Sequence, residues 1–321
     1  MRPPDDEALC LVALCATEGI GPSTVNVLRR TASARSAPLS KILALPAGRL
    51  EAEVGLPAPT ARAVAAMGEP LGAARAVLDA LGRLGAHPVL AGDRDYPARL
   101  VQCLGAQAPP VLFIAGDGAL LHTPSLAIVG SRAPSRAAVG ATRRLAAEQA
   151  AAGVTVVSGG AQGIDTTAHL AAARSGGTAV VPAAGLATWL RGRPTSRSPL
   201  AGRWCAVGQF PPQAPWRGAQ AIIRNRTIAA LADAVVAFEP RDAGGTWHTS
   251  ITALRMRKPL FVVAASYHGA KGRGLRRLVR LGAVALDPRH MPDPPALAML
   301  IADYQPPPAP DQLPLFGDGA P

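Results

Sequence analysis

Two short turns carry the small residues that phosphate binding needs. Gly130-Ser131-Arg132 follows the apolar run Leu126-Ala127-Ile128-Val129. Ser158-Gly159-Gly160-Ala161-Gln162-Gly163-Ile164-Asp165 follows Val154-Thr155-Val156-Val157. Each leads from an apolar run into a predicted helix. Small residues there leave backbone N–H groups open to an anion, and the helix start adds the positive end of its dipole. One such turn says little; two in one sheet, the first with an arginine, point to an anion site. The plainer alternative is that these glycines only permit tight turns. Arg224-Asn225-Arg226 is a third candidate, expected to begin the helix leading to the 234–238 run. There, two guanidiniums and an amide would clamp a phosphate. Gly244-Gly245-Thr246 precedes a further predicted helix and offers the same geometry.

Patterns that would carry catalysis are missing. The sequence holds no Walker A loop, no HExxH, no GxSxG and no complete GxGxxG, so no catalytic residue is assigned. Asp165 and His169 stand four apart on one face of a predicted helix, the spacing of an acid–base pair. The preferred reading is simpler, with Asp165 as a helix N-terminal residue and His169 as a helix-face contact. Asp95-Tyr96-Pro97 reads as a turn. Cys10, Cys15, Cys103 and Cys205 form no CxxC pair. They are read as reduced core thiols, with no metal and no cofactor expected.

The charge balance agrees with an anionic partner. Thirty-three basic residues face 21 acidic ones, a net charge of +12, and only Lys41, Lys258 and Lys271 are not arginine. Residues 291–321 hold nine prolines, four aspartates and no Lys or Arg, which leaves +16 on residues 1–290. A balance this basic suggests a polyanion. Residues 191–226 contain Arg191, Arg193, Arg197, Arg203, Arg217, Arg224 and Arg226 and no Asp or Glu. Trp204 and Trp216 lie inside that stretch and Trp189 just before it. Cations interleaved with aromatic rings suit single-stranded nucleic acid, whose phosphates meet the cations while bases stack on the rings. The alternative is a solvated basic surface with core tryptophans. Arg273, Arg276, Arg277 and Arg280 share one predicted helix face, with Leu275, Leu278 and Val279 turned mostly away. That face reads equally as the flank of a groove or a solvated side.

The elements that must hold these residues follow from hydropathy. Residues 1–75 read as a small all-α domain of helix-hairpin-helix or SAM-like type. Its turn is Glu18-Gly19-Ile20-Gly21-Pro22 before a helix from Ser23 to Arg30, echoed by Val54-Gly55-Leu56-Pro57 before Ala61 to Met67. Residues 76–290 alternate short apolar runs with Ala/Arg-rich helical stretches. The runs are 111–114, 126–129, 154–157, 179–181, 234–238 and 260–263; helices fit at 136–152, 164–175, 219–232 and 248–257. The runs are continuously apolar, as in strands buried on both faces of a parallel sheet. The fold class is therefore α/β, a Rossmann-like doubly wound, mostly parallel sheet. Residues 291–321 read as a disordered Pro-rich acidic tail beyond a short helix near Ala296 to Ile301. The sequence has no 18-residue apolar run and no signal-peptide pattern at Met1 to Glu7, which suggests a cytoplasmic protein without a membrane partner.

Taken in order, these pieces resemble the DprA/Smf family (DNA processing protein A). The matching residues are Tyr96-Pro97 with Leu100, and Pro109-Pro110-Val111-Leu112-Phe113 with Gly116. Next come Ala127-Ile128-Val129-Gly130-Ser131-Arg132, and Ser158-Gly159 through Gly163-Ile164-Asp165 to Ala168-His169. Last are Pro211-Pro212, Arg224-Asn225-Arg226 with Ile228-Ala229, and Thr252-Ala253, so that the resemblance spans roughly residues 80–286. It implies an extended Rossmann fold, non-catalytic binding of single-stranded DNA, protection of incoming DNA in natural transformation, loading of the RecA recombinase, and homodimers. Carried over by motif and joined to the turns above, the DNA-binding set is Gly130, Ser131, Arg132, Ser158, Gly159, Gly163, Arg224, Asn225, Arg226, Gly245 and Thr246. The family's SGS-type turn is replaced by Gly244-Gly245-Thr246-Trp247-His248-Thr249, and Arg191-Gly192-Arg193-Pro194 stands where a YP-P-N pattern is usual. No C-terminal winged-helix-like domain is found, which marks the chain as a divergent member.

Two further readings stay open. Gln312-Leu313-Pro314-Leu315-Phe316 resembles the peptide that docks on the bacterial sliding clamp, through Gln312, Leu313, Leu315 and Phe316. On the same fold, a nucleotide-binding enzyme or sensor of the lysine-decarboxylase-like (LOG) group is the competitor. Its glycine-rich loop is faintly like Gly244-Gly245-Thr246, but no glutamate follows on the helix, and small-molecule chemistry has no need of +16.

Overall fold

A computed structural model describes residues 6–67, 70–192, 201–264 and 269–306. Arg193, Arg197 and the Gln312–Phe316 peptide lie outside the described residues. Contacts divide the chain into two compact units, the first holding the described residues up to Ala115 together with 184–192 and 208–215. The first unit therefore runs past the boundary expected at residue 75.

The first unit opens with helices α1 (Asp6–Ala16), α2 (Pro22–Ala34), α3 (Leu39–Leu43), α4 (Ala47–Val54), α5 (Ala58–Ala65) and α6 (Pro70–Gly82). The Gly19–Pro22 turn forms as expected: Gly19 takes a φ of +79° and Pro22 occupies the first turn of α2, where its missing N–H costs nothing. Gly55, at φ +77°, ends α4 in the same left-handed way before α5. Strand β1 (Ala86–Leu90) then pairs antiparallel with β2 (Val111–Gly116), Ala86 opposite Ala115, with α7 (Ala98–Leu104) between them. Tyr96, buried beside α7, donates its hydroxyl to the Pro109 carbonyl at 2.7 Å.

The second unit is built on parallel strands β3 (Ser125–Gly130), β4 (Thr155–Ser158), β5 (Thr178–Val180), β6 (Trp204–Gly208), β7 (Ala234–Phe238), β8 (Leu260–Val263) and β9 (Val284–Leu286). Their order is β6-β5-β4-β3-β7-β8-β9. Helices α8 (Arg136–Ala151) and α9 (Ile164–Ser175) follow β3 and β4; α10 (Leu186–Arg191) belongs to the first unit. The remaining helices are α11 (Gly218–Leu231), α12 (Gly245–Arg255), α13 (Gly269–Arg280) and α14 (Pro294–Ala302). From β3 the chain winds outward through β4, β5 and β6, then returns to the other side of β3 as β7. This reversal is the topological switch point, and ligands of open α/β sheets sit at its carboxyl end.

The core explains the continuous apolar runs. Leu126, Ile128, Val156, Val236, Phe238, Phe261 and Val263 are buried, packed with Leu145 of α8 and Ile164 and Ala168 of α9. Ser135 caps α8 by accepting the Ala138 N–H at 3.2 Å. Three strands escaped the sequence reading. β1 contains Pro88, which cannot donate to a ladder. β6 is five residues inside the arginine-rich stretch, and β9 has three residues, two of them exposed.

The short helix expected near Ala296 to Ile301 is present as α14, and it packs against the fold. Asp293 caps α14 through the Ala296 N–H, and Leu297 is buried in the sheet's core cluster, with Met291 and Ile301 packed against it. Tyr304 then donates its hydroxyl to the Gly282 carbonyl at 3.1 Å. Apolar side chains, not the surrounding prolines, decide the fate of this segment. Among the described residues no helix is long and apolar enough to cross a membrane.

Candidate functional site

A cavity of about 300 Å³ opens at the carboxyl ends of β3 and β7, the switch point of the sheet. Gly130, Ser131 and Arg132 line one side, and Gly245 and Thr246 at the start of α12 line another. Arg224 and Asn225 reach it from α11, and Asp165 from α9. The volume lies at the lower end of the range for small-molecule pockets.

The first turn is shaped by contact. A Cβ on Gly130 would lie 2.7 Å from both Ile164 Cγ1 and the Phe238 carbonyl, so only glycine lets β3 end this close to α9 and β7. Beyond it Arg132 is exposed and makes no hydrogen bond or ion pair among the described residues. Arg132 is therefore available to an external anion.

The second turn is already filled. Asp165 Oδ2 accepts the N–H groups of Gly159 at 3.2 Å and Ala161 at 3.3 Å. The amides expected to face a phosphate thus hold the chain's own carboxylate. Ser158 donates its hydroxyl to the Ile128 carbonyl, beneath the cavity. Gly163, at φ +89°, begins α9; a Cβ there would come within 2.4 Å of the Ser131 carbonyl. Ser158, Gly159 and Gly163 are not among the residues that line the cavity.

Arg224 also departs from expectation. It lies in the middle of α11, six residues past its start, not at a helix N-terminus. Its buried guanidinium donates to the carbonyls of Gly159 and Val181. A Cβ on Gly159 would collide with that guanidinium. Burial raises the Asp165 carboxyl above the ordinary range, opposed by the charge of Arg224 and by the two backbone amides. Burial likewise lowers Arg224, opposed by Asp165, while nearby Arg132 pushes it further down. Arg224 is a buried link between turns before it is a ligand group. Asn225 donates from Nδ2 to the Gly245 carbonyl at 3.2 Å and so steadies the turn before α12. No side chain caps the first turn of α12, which begins after Gly244 at φ +91°. Arg226, two residues on from Arg224, is exposed on the other face of the helix and is not brought to the cavity.

Among the lining residues outside the predicted set, Glu239 and Arg241 carry charge that no reading of the sequence had singled out. Glu239 is buried, adopts φ +48°, and accepts the Ser135 N–H at Oε2, 3.2 Å away. Arg241 is exposed and, among the described residues, has no hydrogen bond or ion pair. Both follow directly after β7, so the rule that singled out Gly130 would have found them. His169, expected as a helix-face contact, is buried and bonds through Nδ1 to the Thr178 hydroxyl at 2.7 Å. The arginine face of α13 is partly used within the fold. Arg273 pairs with Asp242 at 3.1 Å, and Arg277 lies 4.8 Å from the centroid of the buried Trp247 ring. Leu275 and Leu278 turn inward as expected, whereas Val279 is exposed.

The family model described as DNA recombination-mediator protein A matches residues 87–291. Protein Smf of Escherichia coli is 29% identical over 201 residues, 62% of this chain and 53% of that protein, so the chain spans about half of that relative's length. Among solved structures, DNA processing protein A from Streptococcus pneumoniae has a TM-score of 0.59 at 22% identity, covering 89% of this chain and 99% of that one. DNA processing protein A from Helicobacter pylori has a TM-score of 0.56 at 23% identity, covering 68% and 97%, and is described in terms of its single-stranded DNA binding mode. At these identities the structural likeness establishes the fold.

Proposed function

Because the chain belongs to the DprA/Smf family of DNA recombination-mediator proteins, we propose that its β3–β7 cavity holds the backbone of single-stranded DNA. The observation that carries this reading is the pair of exposed, unpartnered arginines, Arg132 and Arg241, at a switch-point cavity beside the uncapped start of α12. A chain of net +12 brings such a rim to a polyanion. Gly245 and Thr246 present the uncapped first turn of α12 to the phosphate, Arg132 and Arg241 neutralise it, Gly130 and Ser131 end β3 at the cavity, with the Ser131 N–H already given to the Phe238 carbonyl, and Arg224 and Asn225 hold the turns in place. The protein binds without catalysis, acts in the cytoplasm, protects incoming strands in natural transformation and delivers them to RecA; the family resemblance supports this wider role, as it supports a homodimer. The Gln312–Phe316 peptide would add the sliding clamp as a partner.

One observation favours the competing nucleotide-binding enzyme or sensor: the cavity holds the carboxylates of Asp165 and Glu239. Both are bonded to backbone N–H groups, which is a structural use. Fluorescence anisotropy with labelled single-stranded and duplex oligonucleotides of one length, over a salt series, separates the readings. Salt-sensitive preference for the single strand, weakened in Arg132→Ala plus Arg241→Ala, is expected. Absence of binding at moderate salt, or an unchanged double variant, overturns the proposal and favours the nucleotide reading.

A further inference from the structure

The basic stretch contains one tryptophan that folding leaves in water. Trp216 is 59% exposed, whereas Trp247 is 1% exposed and sits in the core. A lone exposed apolar residue needs no explanation in itself; the place of this one does. Helix α11 connects the parallel strands β6 and β7, so it runs antiparallel to the sheet and its first turn stands at the carboxyl side, where the cavity opens.

Position within that turn narrows the placement. Arg217 is the N-cap of α11, so Trp216 precedes the cap and Ala221 is the fourth helical residue. These two positions face each other across a helix's first turn, where a hydrophobic staple forms. Ala221 lines the cavity, so the first turn of α11 borders it, and Trp216 stands just before that turn's cap. Most of its indole is open to solvent.

The surroundings select the occupant. The Arg217 guanidinium is exposed and among the described residues has no partner, and the first turn of α11 carries no acidic residue. Residues 191–226 contain no Asp or Glu at all. A second copy of a +12 chain would meet cations there, whereas a polyanion with flat bases meets complementary charge and an open π-face. Ile222 and Ile223 are also exposed, but they flank Arg226 on the outward face of α11, away from the cavity-lining Ala221, Arg224 and Ile228.

We propose that Trp216 is the stacking platform for a base of the same DNA strand whose phosphate occupies the β3–β7 cavity, with Arg217 drawing the adjoining phosphate. The inference deepens the single-stranded DNA reading and rests on it. Stacking is tolerant of sequence and adds no counterion release, because every base has a π-face and the indole is neutral.

The test compares a mixed-sequence oligonucleotide with a fully abasic one of equal length, by anisotropy over a salt series. Trp216→Ala is expected to weaken binding of the base-bearing strand about 5- to 150-fold, with the salt slope and abasic binding unchanged. Trp216→Phe should keep most of the affinity. Equal loss on both strands, or no loss on either, overturns the platform. So does a wild-type dimer that Trp216→Ala converts to a monomer in sedimentation without changing affinity, which would make the indole an interface between copies. Thermal unfolding of both variants checks that the fold is intact. Failure of the cavity reading looks different: Arg132→Ala plus Arg241→Ala then leaves binding unchanged whatever Trp216 does.

Discussion

The turn after β3 and the turn after β4 look alike in sequence, and the fold uses them in opposite ways. Gly130-Ser131-Arg132 faces a cavity and ends in an exposed, unpaired guanidinium. Ser158 to Gly163 also offers amides, but Asp165 takes two of them, and Arg224 closes over the turn by bonding the Gly159 carbonyl. The second turn holds an anion from within the fold, a side chain five residues on from Gly160. In the first, the Ser131 N–H goes to the Phe238 carbonyl, and what stays open is the Arg132 guanidinium. A glycine-rich turn therefore does not say what its amides meet; the packing around it decides.

Breaking the internally filled turn should cost the most. Arg224→Ala strips a buried carboxylate and two carbonyls of their partner, and is expected to destabilise the protein by about 3–5 kcal/mol in urea unfolding. A loss under about 1 kcal/mol would mean that solvent already reaches that turn. Gly163→Ala attacks the joint between the turns: a positive φ and a Cβ 2.4 Å from the Ser131 carbonyl should cost about 1–3 kcal/mol. Because Ser131 must shift, DNA affinity should fall along with the melting temperature.

The pH response sharpens the contrast further. Burial raises the Asp165 carboxyl, so the native state keeps this proton longer than the unfolded chain does. The group's contribution to stability is therefore greatest at low pH. It declines as pH climbs from the unfolded value near 3.8 through the raised folded one. Melting temperatures of Asp165→Asn across that window should lack this decline; an identical profile would show that Asp165 titrates normally.

At the open turn the effect is on binding alone. Arg132→Ala should weaken single-stranded DNA about tenfold and reduce the salt slope by about one, with stability within about 0.5 kcal/mol of wild type. The smallest change is expected for Arg226→Ala, whose side chain faces away from the cavity: an affinity within about twofold in the same titration. A loss as large as that of Arg132→Ala would move the DNA path to the outer face of α11.

Much of this was legible beforehand, for identifiable reasons. Strands buried on both faces must be continuously apolar, so β3, β4, β7 and β8 stood out as runs without gaps. The helices after β3 and β4 could be placed because small-residue turns precede them. β6 could not, since Trp204 to Gly208 lie among arginines that drew attention to charge. Arg224 was expected at a helix start but lies in the middle of α11. The spacing Arg-Asn-Arg does not reveal that the first arginine points inward and the second outward, which is a matter of helical phase against a neighbouring sheet.

The sequence by itself determined the chemistry present: an excess of arginine, apolar runs that must form a covered parallel sheet, and glycines where Cβ atoms would not fit. Tertiary structure alone decided which of these meet. Strand order brings residues 130–132 and 239–246 to one edge although they lie more than a hundred residues apart in the chain. It also sets Asp165 against its own turn and leaves Arg132 without a partner among the described residues. Local composition fixes what a segment can do; whether it still has a free valence depends on the neighbours that packing supplies, and those come from distant parts of the chain.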